Sequence, residues 1–169
     1  MAARLAELLG GFEVRRFPEG TRTAEDAARA VGCSLGQIVK SLVFSAAGRP
    51  VVVLVSGSNR LDPARLAELA GGPVAKLDAE TARAATGYSI GGVPPFGHGS
   101  SLPVFVDRDL LRYEVVWAAA GRPDSVFAIS PDRLVELSRG EVADLAAAAP
   151  GSVDGLGEPP RGGNRKEDG

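Results

Sequence analysis

The chain has 169 residues, of which 44% are hydrophobic and 24% charged, a size and composition that allow one domain with a substantial core. Its formal net charge of -2 excludes a generally basic nucleic-acid-coating protein, and leaves room for a small basic pocket that grips one end of a nucleic acid. One cysteine, Cys33, and one histidine, His98, exclude an internal disulfide and argue against a thiolate- or histidine-built metal centre or a Ser-His-Asp triad.

From the N-terminus, residues 2–9 favour helix and Gly10-Gly11 stop it, after which Phe12 to Phe17 alternate as a short strand. Thr23 followed by Asp26 predicts a capped helix with Ala24, Ala27, Ala28 and Val31 on one face and Gly32 at its end. The small alanines imply a helix lying close to whatever it packs on. Cys33 reads as a buried filler, since no basic cluster is evident to stabilise its thiolate.

Ile38-Val39-Lys40-Ser41-Leu42-Val43-Phe44 reads as a core strand. Ala46-Ala47-Gly48-Arg49 can turn, and the unbroken apolar run Val51 to Val55 predicts a central partner strand covered on both faces. Asp62 as cap, Pro63 at the first position and Leu61 placed to staple onto Leu66 start a helix that ends at Gly71-Gly72. A strand over 74–77 follows, then a helix from Asp78 to Gly87.

Tyr88 to Gly99 is dense in glycine and proline around apolar Val93 and Phe96, a loop both bent and rigid. It can present its own amides to a ligand, or serve as a plain crossover turn between layers. Strands are then expected over 102–106, 114–119 and 126–129, with a turn or short helix over 108–111. A helix capped by Ser130-Pro131 runs to Arg139 and stops at Gly140. Glu141 to Ala149 reads as one or two further helical turns. The tail 150–169, rich in glycine, proline and mixed charge, is expected to be disordered and without chemistry. With no signal-peptide pattern and no long apolar run, a cytoplasmic protein is expected.

Lys40 is out of place. Strand alternation puts it on the side of Ile38, Leu42 and Phe44, and a buried ammonium needs an anion, a cavity rim or a lowered pKa. The chain holds 3 lysines against 16 arginines, so a compact point charge stands here by exception. The alternative is a lysine that snorkels from an edge strand.

Four collinear stretches carry a resemblance: Thr23 to Ala28, Gly36 to Phe44, Gly91-Gly92-Val93-Pro94-Pro95-Phe96-Gly97, and Leu102 to Asp107. Together they resemble the YbaK/ProX family of free-standing aminoacyl-tRNA editing proteins, related to the editing insertion of bacterial prolyl-tRNA synthetases. The resemblance covers roughly residues 20–140 and implies a mixed α/β fold with a curved, partly barrel-like sheet flanked by helices, in a single domain expected over residues 1–149. It implies hydrolysis of the ester joining a wrong amino acid to a tRNA 3′ end, tRNA-Pro carrying alanine or cysteine above all. No cofactor and no metal are implied. The partners implied are the aminoacyl-tRNA acceptor end and a prolyl-tRNA synthetase, with no DNA and no membrane.

By the same resemblance Lys40, Gly91 and Asp107 are catalytic, while Ser41, Gly92, Val93, Pro94, Pro95, Phe96 and Gly97 border the substrate. Ser41 replaces the commoner threonine after the lysine and keeps its hydroxyl. A tyrosine of the cysteine-specific branch is replaced here by Phe17 or a neighbour. A strand-end aspartate such as Asp107 also serves as a turn cap, and His98 reads as a surface loop residue. A different class of function fits the same residues: a tRNA- or nucleotide-binding module, or a synthetase-associated partner, that holds the acceptor end without turning it over.

Overall fold

The computed structural model describes residues 2–21 and 23–147; the expected tail lies outside them. The element order is α1 (Ala2–Leu8), β1 (Val14–Arg16), α2 (Ala24–Val31), β2 (Val39–Ala46), β3 (Arg49–Ser56), α3 (Pro63–Ala70), β4 (Val74–Lys76) and α4 (Ala79–Thr86). It continues with β5 (Val104–Asp107), β6 (Val116–Ala119), β7 (Ser125–Ile129), α5 (Pro131–Ser138) and β8 (Glu141–Ala143). Short 3-10 turns precede β2 and follow β5.

Helices α2 to α5 begin where a side chain satisfies an otherwise free N–H. Thr23 Oγ1 accepts from the amide of Asp26 at 3.0 Å, Asp62 from Ala64 at 3.0 Å, Asp78 from Thr81 at 2.7 Å and Ser130 from Arg133 at 3.3 Å. The last helix ends one residue earlier than its sequence suggests. Arg139, at φ 55°, takes the left-handed position expected of Gly140. Gly140 is needed for another reason: a Cβ there would run into Val106 Cγ2, because the chain turns in against β5.

The strands form a mixed α/β architecture of two sheets, β1-β7-β6 and β4-β2-β3-β5-β8. A single bridge between Ile38 and Trp117 links them among the described residues. The β2–β3 hairpin closes through Ala47-Gly48, both at positive φ, the backbone of a two-residue hairpin turn. β3 also pairs in parallel with β5, and β5 with β8. The helical turns expected after Gly140 are therefore corrected to a strand. The alanines there favour helix locally, but β5 offers Glu141–Ala143 a free edge, and Ala146 bridges to Leu61.

Alternation sorts the side chains of the larger sheet into two cores. Val39, Val52, Leu54, Val104 and Val106 meet Val116, Ala118 and Phe127 of the smaller sheet. Val51, Val53, Val55 and Phe105, with Leu42 and Phe44 at the margin, pack against Leu66 of α3 and Leu145. β3 is thus covered on both faces, as its unbroken apolar run predicts, and Val52 to Val55 are fully buried. At about 1.5–3 kcal/mol for each buried aliphatic side chain, this strand is the anchor on which β2 is hung.

Candidate active site

β2 has two halves. Phe44 to Ala46 pair with β4 on the side away from β3, but among the described residues no strand pairs with Val39 to Val43 there. Backbone parity shows what that exposes. Ile38 O accepts from Gly57 on the β3 side, whereas Ala47 N–H donates to Pro73 O on the β4 side. The N–H and C=O of odd-numbered residues, Ser41 among them, therefore face the uncovered edge. β6 touches this edge at the Ile38–Trp117 bridge and then diverges.

The wedge so opened is a cavity of ≈ 280 Å³. Its walls are Ile38 to Leu42 of the strand region, Thr23, Ala24 and Ala27 at the start of α2, Trp117 to Ala119 of β6, and Ile90, Gly91 and Val93 of the glycine-proline loop. The alanines of α2 let that helix approach closely. Among the described residues Lys40 is the one charged residue in the lining.

The Lys40 ammonium is half-buried and donates to the main-chain oxygen of Asn59 at 2.5 Å, leaving two of its three N–H donors for other groups. Burial pushes its pKa below the ordinary lysine value. Glu25 and Asp107 oppose that shift by favouring the charged form, and Arg60 adds to it. Asp107, 1% exposed, does not line the cavity. Its Oδ2 accepts from Ser56 N–H at 3.0 Å and from Asn59 Nδ2 at 2.8 Å, and its Oδ1 from Asp109 N–H at 3.0 Å. Asn59 is therefore the link: its carbonyl receives the lysine and its amide is held by the aspartate.

The loop is likewise divided. Gly91, at φ 94°, and Val93 face the cavity. Gly92, Pro94, Pro95 and Phe96 are buried away from it. Gly92 donates its N–H to Ser89 O at 2.9 Å and lies so close to Arg122 that a Cβ would meet backbone atoms at 2.9 Å. Phe96 packs edge-on to Phe127 at 5.7 Å. Two side chains pin the bend from inside: Tyr88 Oη donates to Gly97 O at 3.3 Å, and His98 Nε2 contacts Pro94 O at 2.8 Å. The carbonyl can only accept, so Nε2 carries the proton. Burial lowers the His98 pKa, and the bond to Pro94 partly offsets this. His98 is partly buried and acts as a brace rather than as the surface loop residue its sequence context suggests.

Of the residues expected at the site, the cavity gathers Lys40, Ser41, Gly91 and Val93; it leaves Gly92, Pro94, Pro95, Phe96, Gly97 and Asp107 off its lining. Sequence reasoning missed Asn59 and the β6 wall. The signal for Asn59 was the polar run Ser56-Gly57-Ser58-Asn59 after the central strand; β6 arrives through long-range pairing and gave none. The Ser41 Oγ is buried and lacks a hydrogen-bond partner among the described residues. No cluster of three or more His, Cys, Asp or Glu among them is arranged to hold a metal ion, and none of their helices is long and apolar enough to cross a membrane.

Comparison with known proteins gives four matches. A family model described as the aminoacyl-tRNA editing domain matches residues 18–137. The chain is 33% identical over 131 residues to the uncharacterised protein YwhH of Bacillus subtilis (strain 168), covering 77% of this chain and 83% of that one. It is 35% identical over 92 residues to a proline--tRNA ligase of Nitratidesulfovibrio vulgaris (strain DP4), covering 54% of this chain and 16% of the ligase. A solved structure described, provisionally, as a trans-editing enzyme for prolyl-tRNA synthetase superposes with a TM-score of 0.82 at 45% identity, covering 87% of this chain and 97% of that one.

Proposed function

The chain belongs to the aminoacyl-tRNA editing domain family, and from that premise we propose that it is a trans-editing hydrolase. It removes a wrongly attached amino acid from a tRNA 3′ end, with tRNA-Pro bearing alanine or cysteine as the first substrates to test. The observation that carries this reading is that Lys40 and Gly91 line one small cavity. A prolyl-tRNA synthetase is the natural source of the mischarged tRNA. With a net charge of -2, contact with the tRNA is local to its acceptor end.

In the reaction, water adds to the ester carbonyl carbon, the acyl carbon–oxygen bond breaks, and the ribose oxygen leaves with a proton that originates from the water. Catalysis requires the developing oxyanion to be stabilised and the water to be positioned. Lys40 supplies the cation. Gly91 and the uncovered edge of β2 at Ser41 supply backbone polar groups. Asn59, held by Asp107, positions the lysine. No nucleophilic side chain is needed; with a cysteinyl ester the substrate's own thiol is a second attacking group.

A small cavity suits a second sieve, because binding alone separates small apolar side chains poorly. One observation favours the binding-module reading: among the described residues, no His, Cys, Asp or Glu side chain lines the cavity. Incubating the purified protein with alanyl- and cysteinyl-tRNA-Pro separates the two readings. Ester loss above the spontaneous rate is expected; binding without ester loss would replace the hydrolase with the module.

A further inference from the structure

We propose that Ile90 is the platform on which the terminal nucleobase of the substrate packs, so that the base is held by its face and its edges are not read. This rests on the editing reading and adds how the nucleoside end of the ester is recognised. Exposure within the lining locates the mouth of the cavity. Among the described residues that line it, Thr23, Ile90 and Gly91 alone are exposed, so the opening lies between the cap of α2 and the tip of the glycine-proline loop. Thr23 Oγ1 is engaged by the amide of Asp26, and Gly91 has no side chain. Ile90, 60% exposed, is therefore the large apolar surface at the opening. Val14, Leu69, Leu111 and Val115 are also exposed, each less so, and none of them lines the cavity. A single exposed apolar side chain is ordinary on a protein surface; one at the mouth of a binding cavity is placed to meet the ligand.

The size of the cavity and the place of the ester indicate what arrives there. At ≈ 280 Å³ the cavity is just below the range of about 300–1,000 Å³ that encloses a drug-sized ligand, so an acyl group, a ribose and a base do not all fit inside. With the ester carbonyl at Lys40 and Gly91, the acyl group lies inward, and the base, at the far end of the ribose, is carried outward. Ile90 directly precedes Gly91 in the chain. Beyond its chain neighbours, a Cβ on Gly91 would meet only Pro123, at 4.0 Å, so the space above the loop tip is open. The aromatic alternative, Trp117, is not free: it is 7% exposed, and the Arg15 guanidinium lies over its ring at 4.8 Å. Among the described residues the lining has no Asn, Gln, Asp, Glu or Arg side chain with which to read a base edge. Packing against a face needs none, and it tolerates any base, since every base has one.

The test measures the Kd of the wild type, Ile90→Ala and Ile90→Tyr for non-hydrolysable 3′-alanylamide analogues of adenosine, of inosine and of the abasic ribose. In parallel, kcat and KM are measured for deacylation of alanyl-tRNA-Pro. In the wild type the adenosine and inosine analogues are expected to bind alike and about fivefold tighter than the abasic one, the effect of covering part of one aliphatic side chain. Ile90→Ala should bring all three to the Kd of the abasic analogue and raise KM about fivefold with kcat kept. Ile90→Tyr, at a site exposed enough to accept the larger side chain, should widen the base effect, because a base stacks on an aromatic ring more strongly than on an aliphatic group. A base effect that survives in Ile90→Ala, or an equal weakening of the abasic analogue there, would overturn the assignment. So would an inosine analogue that binds as the abasic one does, since the edges would then be read. If no ester is cleaved but the base effect is present and lost in Ile90→Ala, the hydrolase reading falls and the Ile90 inference stands. If the ester is cleaved and the abasic analogue binds as tightly as the adenosine one, the inference falls alone.

Discussion

The two halves of β2 are made from one continuous strand and do different work. From Phe44 to Ala46 it is paired on both sides, with Val51 to Arg49 of β3 and with Val74 to Lys76 of β4. From Val39 to Val43 it is paired on one side only, and the cavity lies along the other. Strand edges carry unused N–H and C=O groups and are usually shielded. Here α2, β6 and the glycine-proline loop shield the edge at a distance and leave room for a ligand. A binding site thus results from ending β4 early rather than from adding an element.

This contrast predicts a separation of effects. Lys40→Ala should lower kcat/KM for deacylation by about 10²–10³, the usual cost of losing one group that meets an oxyanion, and leave the thermal unfolding midpoint nearly unchanged. Phe44→Ala, four residues on in the paired half, should do the reverse. It removes a partly buried ring and costs about 2 kcal/mol of stability, while the folded fraction keeps its turnover. Equal effects of both substitutions on both measurements would mean that the two halves are not distinct.

The second way to probe the contrast is through Asp107, which touches neither half directly. Asp107→Ala strands the N–H groups of Ser56 and Asp109 and loosens the Asn59 amide. A stability loss of about 2–4 kcal/mol is expected from denaturant unfolding, with a smaller fall in kcat/KM than Lys40→Ala produces. A turnover loss as large as that of Lys40→Ala, with stability intact, would move Asp107 from positioning residue to catalytic one.

The same division explains how much of this could be read from the sequence. Caps are settled within four residues, so Thr23, Asp62, Asp78 and Ser130 were legible, as was the hairpin through Ala47-Gly48. Lys40 was conspicuous because a charge interrupts a period-2 apolar pattern. The far wall was not legible: Trp117 to Ala119 reach the cavity only because β6 pairs with β7 and bridges Ile38, and no local pattern encodes that approach. Asn59 acts through a main-chain carbonyl, for which any residue would score alike. Residues 141–143 misled for the opposite reason, since helix propensity is weak beside a vacant parallel edge.

The smallest expected effect concerns the charge on Lys40. Burial lowers its pKa from the ordinary 10.5, and Glu25 on the first turn of α2 is the strongest influence in the other direction. If the ammonium is the working form, kcat/KM falls on the alkaline side as the proton leaves, with an apparent pKa below 10.5. Glu25→Gln removes a charge that favours protonation, so the falling limb should move to still lower pH, while turnover on the neutral plateau is kept. Stability has the opposite slope. Between the lowered folded pKa and 10.5 the unfolded chain holds more protons than the folded one, so the Lys40 contribution to stability rises with pH across that window. Activity that falls while stability attributable to Lys40 rises, over one pH range and reversed in neither Glu25→Gln nor wild type, would tie both to the same proton. A limb that stays in place in Glu25→Gln would instead assign it to another group.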